Sequence, residues 1–241
     1  MKFQQNKSLT DGLVCLQALC GTKEAIGCRE LAGMLDLEVT RVNRFLLTLL
    51  SVGLVEQDEK RRYRPGPGIH ILAAQCIHGS KLLNSAIPIL EKISHPGYVI
   101  ALGVLWRDKV SYLFHRNSGS SPYQAMAGRP YYNASASSIG RVLLAEKGPD
   151  YVNHHYSGHE IPGFEGDLEN FKKRLMETKW QGYSFLEDAM GEKHLHNIAV
   201  PVGNPAIAAL AFSKIPPEME VSESVSELNE IAAEISRDMN Q

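Results

Sequence analysis

The sequence predicts an α+β chain in two parts: a winged helix-turn-helix, then a connecting helix and a sensor-like domain of sheet and helices. Three observations lead there. Helical periodicity backed by a basic hairpin fills the first 68 residues, a stretch with few breakers follows, and strand alternation begins at residue 98.

Ser8 is placed to cap a first helix with apolar positions Leu9, Leu13, Val14, Leu16 and Leu19, and Gly21 stops it. Residues 22–27 connect to a shorter helix, Cys28 to Leu35, with Ile26 in reach of a short strand against the hairpin. Asp36-Leu37-Glu38 is a tight connection into the stretch Glu38 to Leu50. There Val42, Phe45, Leu46, Leu49 and Leu50 recur at the spacing of an apolar stripe, while Thr40, Arg41, Asn43, Arg44 and Thr48 fall on the other side. Any solvated amphipathic helix carries a polar outer face. The helix-turn-helix spacing upstream and the hairpin downstream give this one a further meaning. Arginine and asparagine pair bidentately with guanine and adenine edges, which makes Arg41, Asn43 and Arg44 candidates for base contacts. Gly53 ends the helix, and Val55 to Asp58, a turn at Glu59-Lys60-Arg61, and Arg62 to Gly66 form the hairpin. Four of the five residues 60–64 are cationic, so Lys60, Arg61, Arg62 and Arg64, with Thr40 and Thr48, are candidates for phosphate contacts.

After Pro65-Gly66-Pro67-Gly68, Ile69 to Leu83 reads as a connecting helix and Ser85 to Ile93 as the opening helix of the second domain. Tyr98 to Trp106 and Val110 to His115, joined at residues 107–109, form a hairpin. Ser137 to Glu146 and Leu168 to Lys179 are helices, and Asn197 to Val202 and Ala206 to Ser213 are strands joined by Gly203-Asn204-Pro205. Val221 to Met239 closes the chain as an amphipathic helix.

Composition narrows the function. Apolar content of 44% with 22% charged residues is that of a globular protein, and the chain has no uninterrupted apolar run of spanning length. Without an apolar secretion segment at the N-terminus, a cytoplasmic location is expected. The overall charge of −2 hides an uneven distribution: residues 215–241 carry one Lys/Arg against seven Asp/Glu, and the rest of the chain is mildly basic. Cys15, Cys20, Cys28 and Cys76 form no CxxC pair and are expected as reduced core residues. His154, His155 and His159 lie in what reads as an exposed loop, so no metal and no cofactor is expected. There is no nucleophile elbow, no phosphate-binding GxxxxGK and no HExxH, and an enzyme is not expected.

The order of segments resembles the IclR family of bacterial transcriptional regulators over nearly the whole chain. The resemblance is carried by Asn43-Arg44-Phe45-Leu46-Leu47-Thr48-Leu49, Gly53-Leu54-Val55-Glu56 and Tyr63-Arg64-Pro65-Gly66 in the first half. In the second half it is carried by Gly128-Arg129, Ser137-Ser138-Ile139-Gly140-Arg141-Val142-Leu143-Leu144-Ala145, Gly182-Tyr183 and Ile198-Ala199-Val200-Pro201-Val202. It implies a winged helix-turn-helix over 1–68, a linker helix over 69–84 and a GAF-like effector and oligomerisation domain over 85–241. It also implies homodimers or tetramers, double-stranded operator DNA as partner, and an organic acid or aromatic metabolite as effector. Two departures stand out: Arg41 replaces the usual threonine, and Ser137-Ser138-Ile139-Gly140-Arg141 replaces the usual Thr-Ala-x-Gly-Lys.

A carboxylate effector would favour the helix N-terminus at Ser137 and Ser138, where backbone N–H groups and the helix dipole attract an anion. Plain capping explains those serines equally well. The resemblance adds Asn197 and Ser213 on the facing strands, and leaves the acidic pocket residue open between Glu187, Asp188 and neither. His194 and His196 flank the expected pocket entrance. The alternative reading is a metabolite-binding or protein-interaction module whose winged domain docks protein, and a small-molecule enzyme ranks third.

Overall fold

Asn6, not Ser8, opens the first helix: its Oδ1 accepts the N–H of Leu9 at 3.1 Å, and α1 (Lys7–Cys20) follows. The computed structural model describes residues 6–93, 97–117, 119–120, 124–125, 131–190 and 193–240, with backbone alone for 188–190 and 193–194. The segment around Gly128-Arg129 lies outside the described residues. The chain divides into two compact units, Met1–Ser80 and Lys81–Gln241.

In the first unit α2 (Cys28–Leu35) and α3 (Val39–Ser51) are joined through Asp36, whose φ of 50° turns the chain back. Asparagine and aspartate tolerate that left-handed conformation better than most residues. Leu19, Leu31, Val42 and Leu46 are fully buried between the three helices, and Cys15 and Phe45 join them. Removing each leucine-sized side chain from water contributes about 2 kcal/mol. Cys15 is thus a core residue, whereas Cys20 and Cys76 are exposed and Cys28 is half-buried, a correction to the expectation for all four. Cys20 ends α1 on its solvent side, and Cys76 sits on a helix with no buried residue.

A two-stranded hairpin follows, β1 (Val55–Gln57) against β2 (Tyr63–Pro65), with Glu56 opposite Arg64. Asp58 builds its turn: Oδ1 accepts the N–H groups of Lys60 and Arg62 at 2.9 and 2.8 Å, and Arg61 takes a positive φ of 58°. Ile26 and Tyr63 exchange two backbone hydrogen bonds of 2.8 Å, the short pairing expected from the sequence. The connecting helix α4 (Pro67–His78) stops at Gly79, and α5 (Lys81–Leu90) starts afresh, so Ile69 to Leu83 is not one helix. Glycine is about 1 kcal/mol less favourable than alanine inside a helix. The restart turns Leu82, Ala86 and Leu90 into the core of the second unit.

The second unit is built on a six-stranded antiparallel sheet: β3 (Val99–Trp106), β4 (Lys109–Arg116), β5 (Tyr132–Asn133), β6 (Ser184–Met190), β7 (Lys193–Val202) and β8 (Ala208–Ile215). The spatial order is β5-β4-β3-β8-β7-β6. Alternation along the strands gives the sheet two unlike faces. Large residues, among them Ile100, Leu102, Phe114, Val200, Leu210 and Phe212, face α5 and the closing helix α9 (Val221–Met239). Ala101, Ala199, Ala209 and Ala211 face α6 (Ser138–Lys147) and α8 (Leu168–Gln181). The small residues let α6 lie close. A Cβ on Gly103 would meet Ile139 and Val110 side-chain carbons at 3.0 Å, and one on Gly140 would run into the backbone of Ala134.

The stretch with His154 and His155 is not a loop but the short helix α7 (Pro149–Tyr156). Pro149 at its first turn, Asp150 beside the N-terminus and the histidines in the last turn suit a helix dipole. Val152 and Tyr156, one turn apart, supply its buried side. No helix among the described residues is long and apolar enough to cross a membrane. Replacing Gly140 by alanine should destabilise the second unit by about 3 kcal/mol, an overpacking cost against rigid backbone. For a unit of this size that lowers the melting midpoint by roughly 6–12 °C in a calorimetric scan, and an unchanged midpoint would contradict the packing described.

Candidate functional sites

The first site is the outer face of α3 with the hairpin turn. Thr40, Asn43, Arg44 and Thr48 are exposed there, and the Thr48 hydroxyl donates to the Arg44 carbonyl at 2.9 Å. Arg44 makes no ion pair among the described residues, and neither do Lys60 and Arg61 in the hairpin turn. Arg41 is placed differently from the expectation. Its Nη2 lies 2.5 Å from Asp11 Oδ2 of α1, its guanidinium sits 5.8 Å over the Phe45 ring, and its side chain is only 28% exposed. The residue therefore ties α3 to α1. The geometric reason is that position 41 lies at the flank of the buried stripe, within reach of α1.

The other two hairpin arginines also have acidic neighbours. Arg64 Nε is 2.5 Å from Glu56 Oε1 across the strand pair, and Arg62 is 3.9 Å from Glu30. Both pairs are solvent-exposed, and such pairs contribute only about 0–1 kcal/mol, so a phosphate can displace the carboxylate at small cost. The sequence reading passed over Val39 and Leu47, which stand exposed on α3. Their signal was membership of the helix outside the apolar stripe. Apolar side chains on such a face can meet thymine methyl groups.

The second site is the start of α6. Ser137 caps it, its Oγ accepting the Gly140 N–H at 3.4 Å, and Ser137 and Ser138 are both buried. The first-turn N–H groups of an α-helix have no partner within the helix, and the dipole adds a positive potential there. The Ser135 hydroxyl donates to the Pro162 carbonyl at 2.6 Å. Arg141 donates from Nε to the Ser135 carbonyl at 2.8 Å and from Nη2 to the Gly163 carbonyl at 3.0 Å. These bonds bind the helix start to the 161–163 loop.

Ser213 lies two residues from Ala211 on β8, opposite Val99, and so shares the sheet face that α6 covers. Asn197 on β7 is engaged by its neighbour strand, its Oδ1 accepting the Lys214 N–H at 3.3 Å beside a backbone irregularity. Lys214 has a positive φ of 62° at this point. Glu187 is not brought to the helix start. Cross-strand pairing puts Ser184 opposite Ala199 on the α6 face, which sends Phe185 and Glu187 to the other one. There Glu187 Oε1 is 3.8 Å from His196 Nε2, and Phe185 packs edge-on against the imidazole at 4.9 Å. Asp188 and His194 are placed on the strand pair by backbone only, opposite Leu195 and Ala189.

The histidines of α7 stack, His155 against Tyr151 at 4.5 Å and against His154 at 4.9 Å. Burial, then the neighbouring His154, hold the His155 imidazole below its usual range. No group of three His, Cys, Asp or Glu residues among the described ones is placed to hold a metal ion.

No family model matches the chain. It is 30% identical over 195 residues to the HTH-type transcriptional regulator KdgR of Dickeya chrysanthemi, a match spanning 78% of this chain and 63% of that protein. It is 29% identical over 240 residues to KdgR of Escherichia coli strain K12, spanning 93% of this chain and 89% of the relative. Among solved structures, an IclR transcriptional regulator from Alicyclobacillus acidocaldarius superposes with a TM-score of 0.73 at 22% identity, covering 98% of this chain and all of the other. An IclR homolog from Microbacterium hydrocarbonoxydans in complex with 4-hydroxybenzoate gives 0.71 at 23% identity, covering 97% and 99%. The C-terminal domain of E. coli KdgR gives 0.55 at 27% identity over 67% of this chain and the whole of that domain.

A double-mutant cycle on the stability of the first unit should return a coupling of about 1 kcal/mol between Arg41→Ala and Asp11→Ala. Additive single effects would mean that Arg41 is free for another partner.

Proposed function

We propose that the chain is a transcriptional regulator of the IclR family, which binds operator DNA through a winged helix-turn-helix and answers to a small-molecule effector, governing genes of small-molecule catabolism. The observation that carries the DNA reading is the outer face of α3, where Asn43 and Arg44 stand exposed with Arg44 unpaired among the described residues. Helix α3 is the recognition helix in this reading, Asn43 and Arg44 meet base edges, and Lys60 and Arg61 of the wing meet phosphates. Thr40, Thr48, Arg62 and Arg64 add backbone contacts, the last two by exchanging Glu30 and Glu56 for phosphate. Arg41 contributes by holding α3 on α1.

Two copies of the chain place two recognition helices on the half-sites of a pseudo-palindromic operator. The exposed apolar residues Ile71, Leu72 and Ile77 of α4 suit a contact between those copies. The second unit, GAF-like in this reading, holds the effector at the start of α6, where Ser137 and Ser138 stand at a positive helix end, with Ser213 on the sheet face that α6 covers. That chemistry suits a small organic acid, and the 4-hydroxybenzoate held by a structural neighbour is one. The effector changes operator affinity through a difference in its affinity for the two functional states. A second reading, in which the winged unit docks protein, is favoured by the exposed Val39, Leu47 and Met34.

Fluorescence anisotropy on DNA from upstream of the chain's own gene, across a salt series, separates the two. The wild type should bind tightly with affinity falling steeply as salt rises, and Arg44→Ala should lose about 1–3 kcal/mol of sequence discrimination. Equal, weak binding of both proteins to that DNA and to unrelated DNA would favour protein docking.

A further inference from the structure

A cleft of about 670 Å³ opens beside the outer strand β6, lined among others by Arg141, Phe164, Arg174, Glu177, Tyr183 and Phe185. Neither Ser137 nor Ser138 lines it, so it is separate from the helix start. Arg141 is the unusual member. Two of its guanidinium nitrogens are fixed by the Ser135 and Gly163 carbonyls, and its plane stands 5.7 Å over Phe164, yet no carboxylate forms an ion pair with it among the described residues. Burial, then the neighbouring charge of Arg174, push its pKa below the usual arginine range. A partly desolvated cation without a counter-charge is unfavourable, and an anion would relieve it.

The acidic residues of the cleft do not supply that anion. Glu177 is spent on Arg174, 3.1 Å away in an exposed pair, and Glu187 is turned toward His196. Glu165 is exposed and forms no ion pair among the described residues. Beyond Arg174 an adjoining recess of about 400 Å³ adds Lys173 and Asn170. The walls next to the arginines are aromatic.

We propose that this cleft is a second anion site, taking a small aromatic carboxylate with its charge between Arg141 and Arg174 and its ring against Phe164 and Tyr183. A forked guanidinium matches a carboxylate or a phosphate alike, and the aromatic walls select the former. The site stands independently of the effector reading for Ser137 and Ser138.

Isothermal titration of benzoate, acetate and inorganic phosphate into the full chain, at constant ionic strength, tests the assignment. Benzoate should bind saturably and more tightly than acetate or phosphate, Arg174→Gln should weaken it by about tenfold or more, and the same binding phase should persist in Ser137→Ala. Arg141→Lys keeps the charge but loses the fork and should weaken benzoate as well, with circular dichroism verifying the fold of each variant. Benzoate binding untouched in Arg174→Gln, or absent from the wild type, would overturn the proposal. Loss confined to Ser137→Ala would overturn it too while leaving the helix-start reading in place, and phosphate binding tighter than benzoate would reject the carboxylate assignment.

Discussion

The second unit depends on how closely α6 approaches the sheet. Ala101, Ala199, Ala209 and Ala211 form a floor of small side chains beneath Ile139, Val142 and Leu143, while the opposite sheet face uses leucine, isoleucine and phenylalanine. Each alanine contributes little buried area by itself. Together they let α6 come so close that Gly103 has no room for a side chain under Ile139, while Gly140 is crowded by the backbone of Ala134. The start of α6 is therefore immobilised from below by the sheet and from outside by the 161–163 loop, and a helix end that cannot shift presents its dipole with a fixed aim. Arg141, one turn further on, inherits the same fixity, which makes its uncompensated charge a lasting property of the fold.

The first unit divides labour within one helix. On α3 the buried residues Val42, Phe45 and Leu46 secure the helix, the flanking Arg41 braces it on α1, and Asn43 and Arg44 are left to the solvent. The distinction between a brace and a side chain left to the solvent turns on a single partner, Asp11. Position 41 and position 44 lie one turn apart, and only the first is near an acid on a neighbouring helix.

Most of the architecture was legible in the sequence because its elements announce themselves by period: the apolar stripe of α3, the alternation of β3 and β4, and the long amphipathic α9. The pairing of Ile26 with the hairpin was legible too. Elements with short or mixed patterns were not. Helix α7 has two buried residues, and β6, as an outer strand, mixes Phe185 and Glu187 on one side with Ser184 on the other. The break at Gly79 between α4 and α5 was read through, because a lone glycine is tolerated inside a helix. Within the sites, residue type could nominate Arg41, Arg62 and Arg64 but could not reveal Asp11, Glu30 or Glu56 beside them, since those partners come from other elements. The side of the sheet on which Glu187 falls depended on a register that only the strand pairing fixes. The charge imbalance around Arg141 was out of reach for the same reason, because it arises between α6, α8 and a loop.

The two hydrogen bonds between Ile26 and Tyr63 have a mechanical consequence. A lone two-stranded hairpin is marginal in water and free to bend at its base. Here β2 is stitched at Tyr63, the end of the ladder next to the turn, to the segment that feeds α2, so the tip at Lys60 and Arg61 cannot swing without breaking that stitch. The helix face and the tip are then held at one separation, like the jaws of a locked caliper. If the two close on DNA as proposed, a groove of the wrong width has to deform to fit, and its stiffness becomes part of what is recognised.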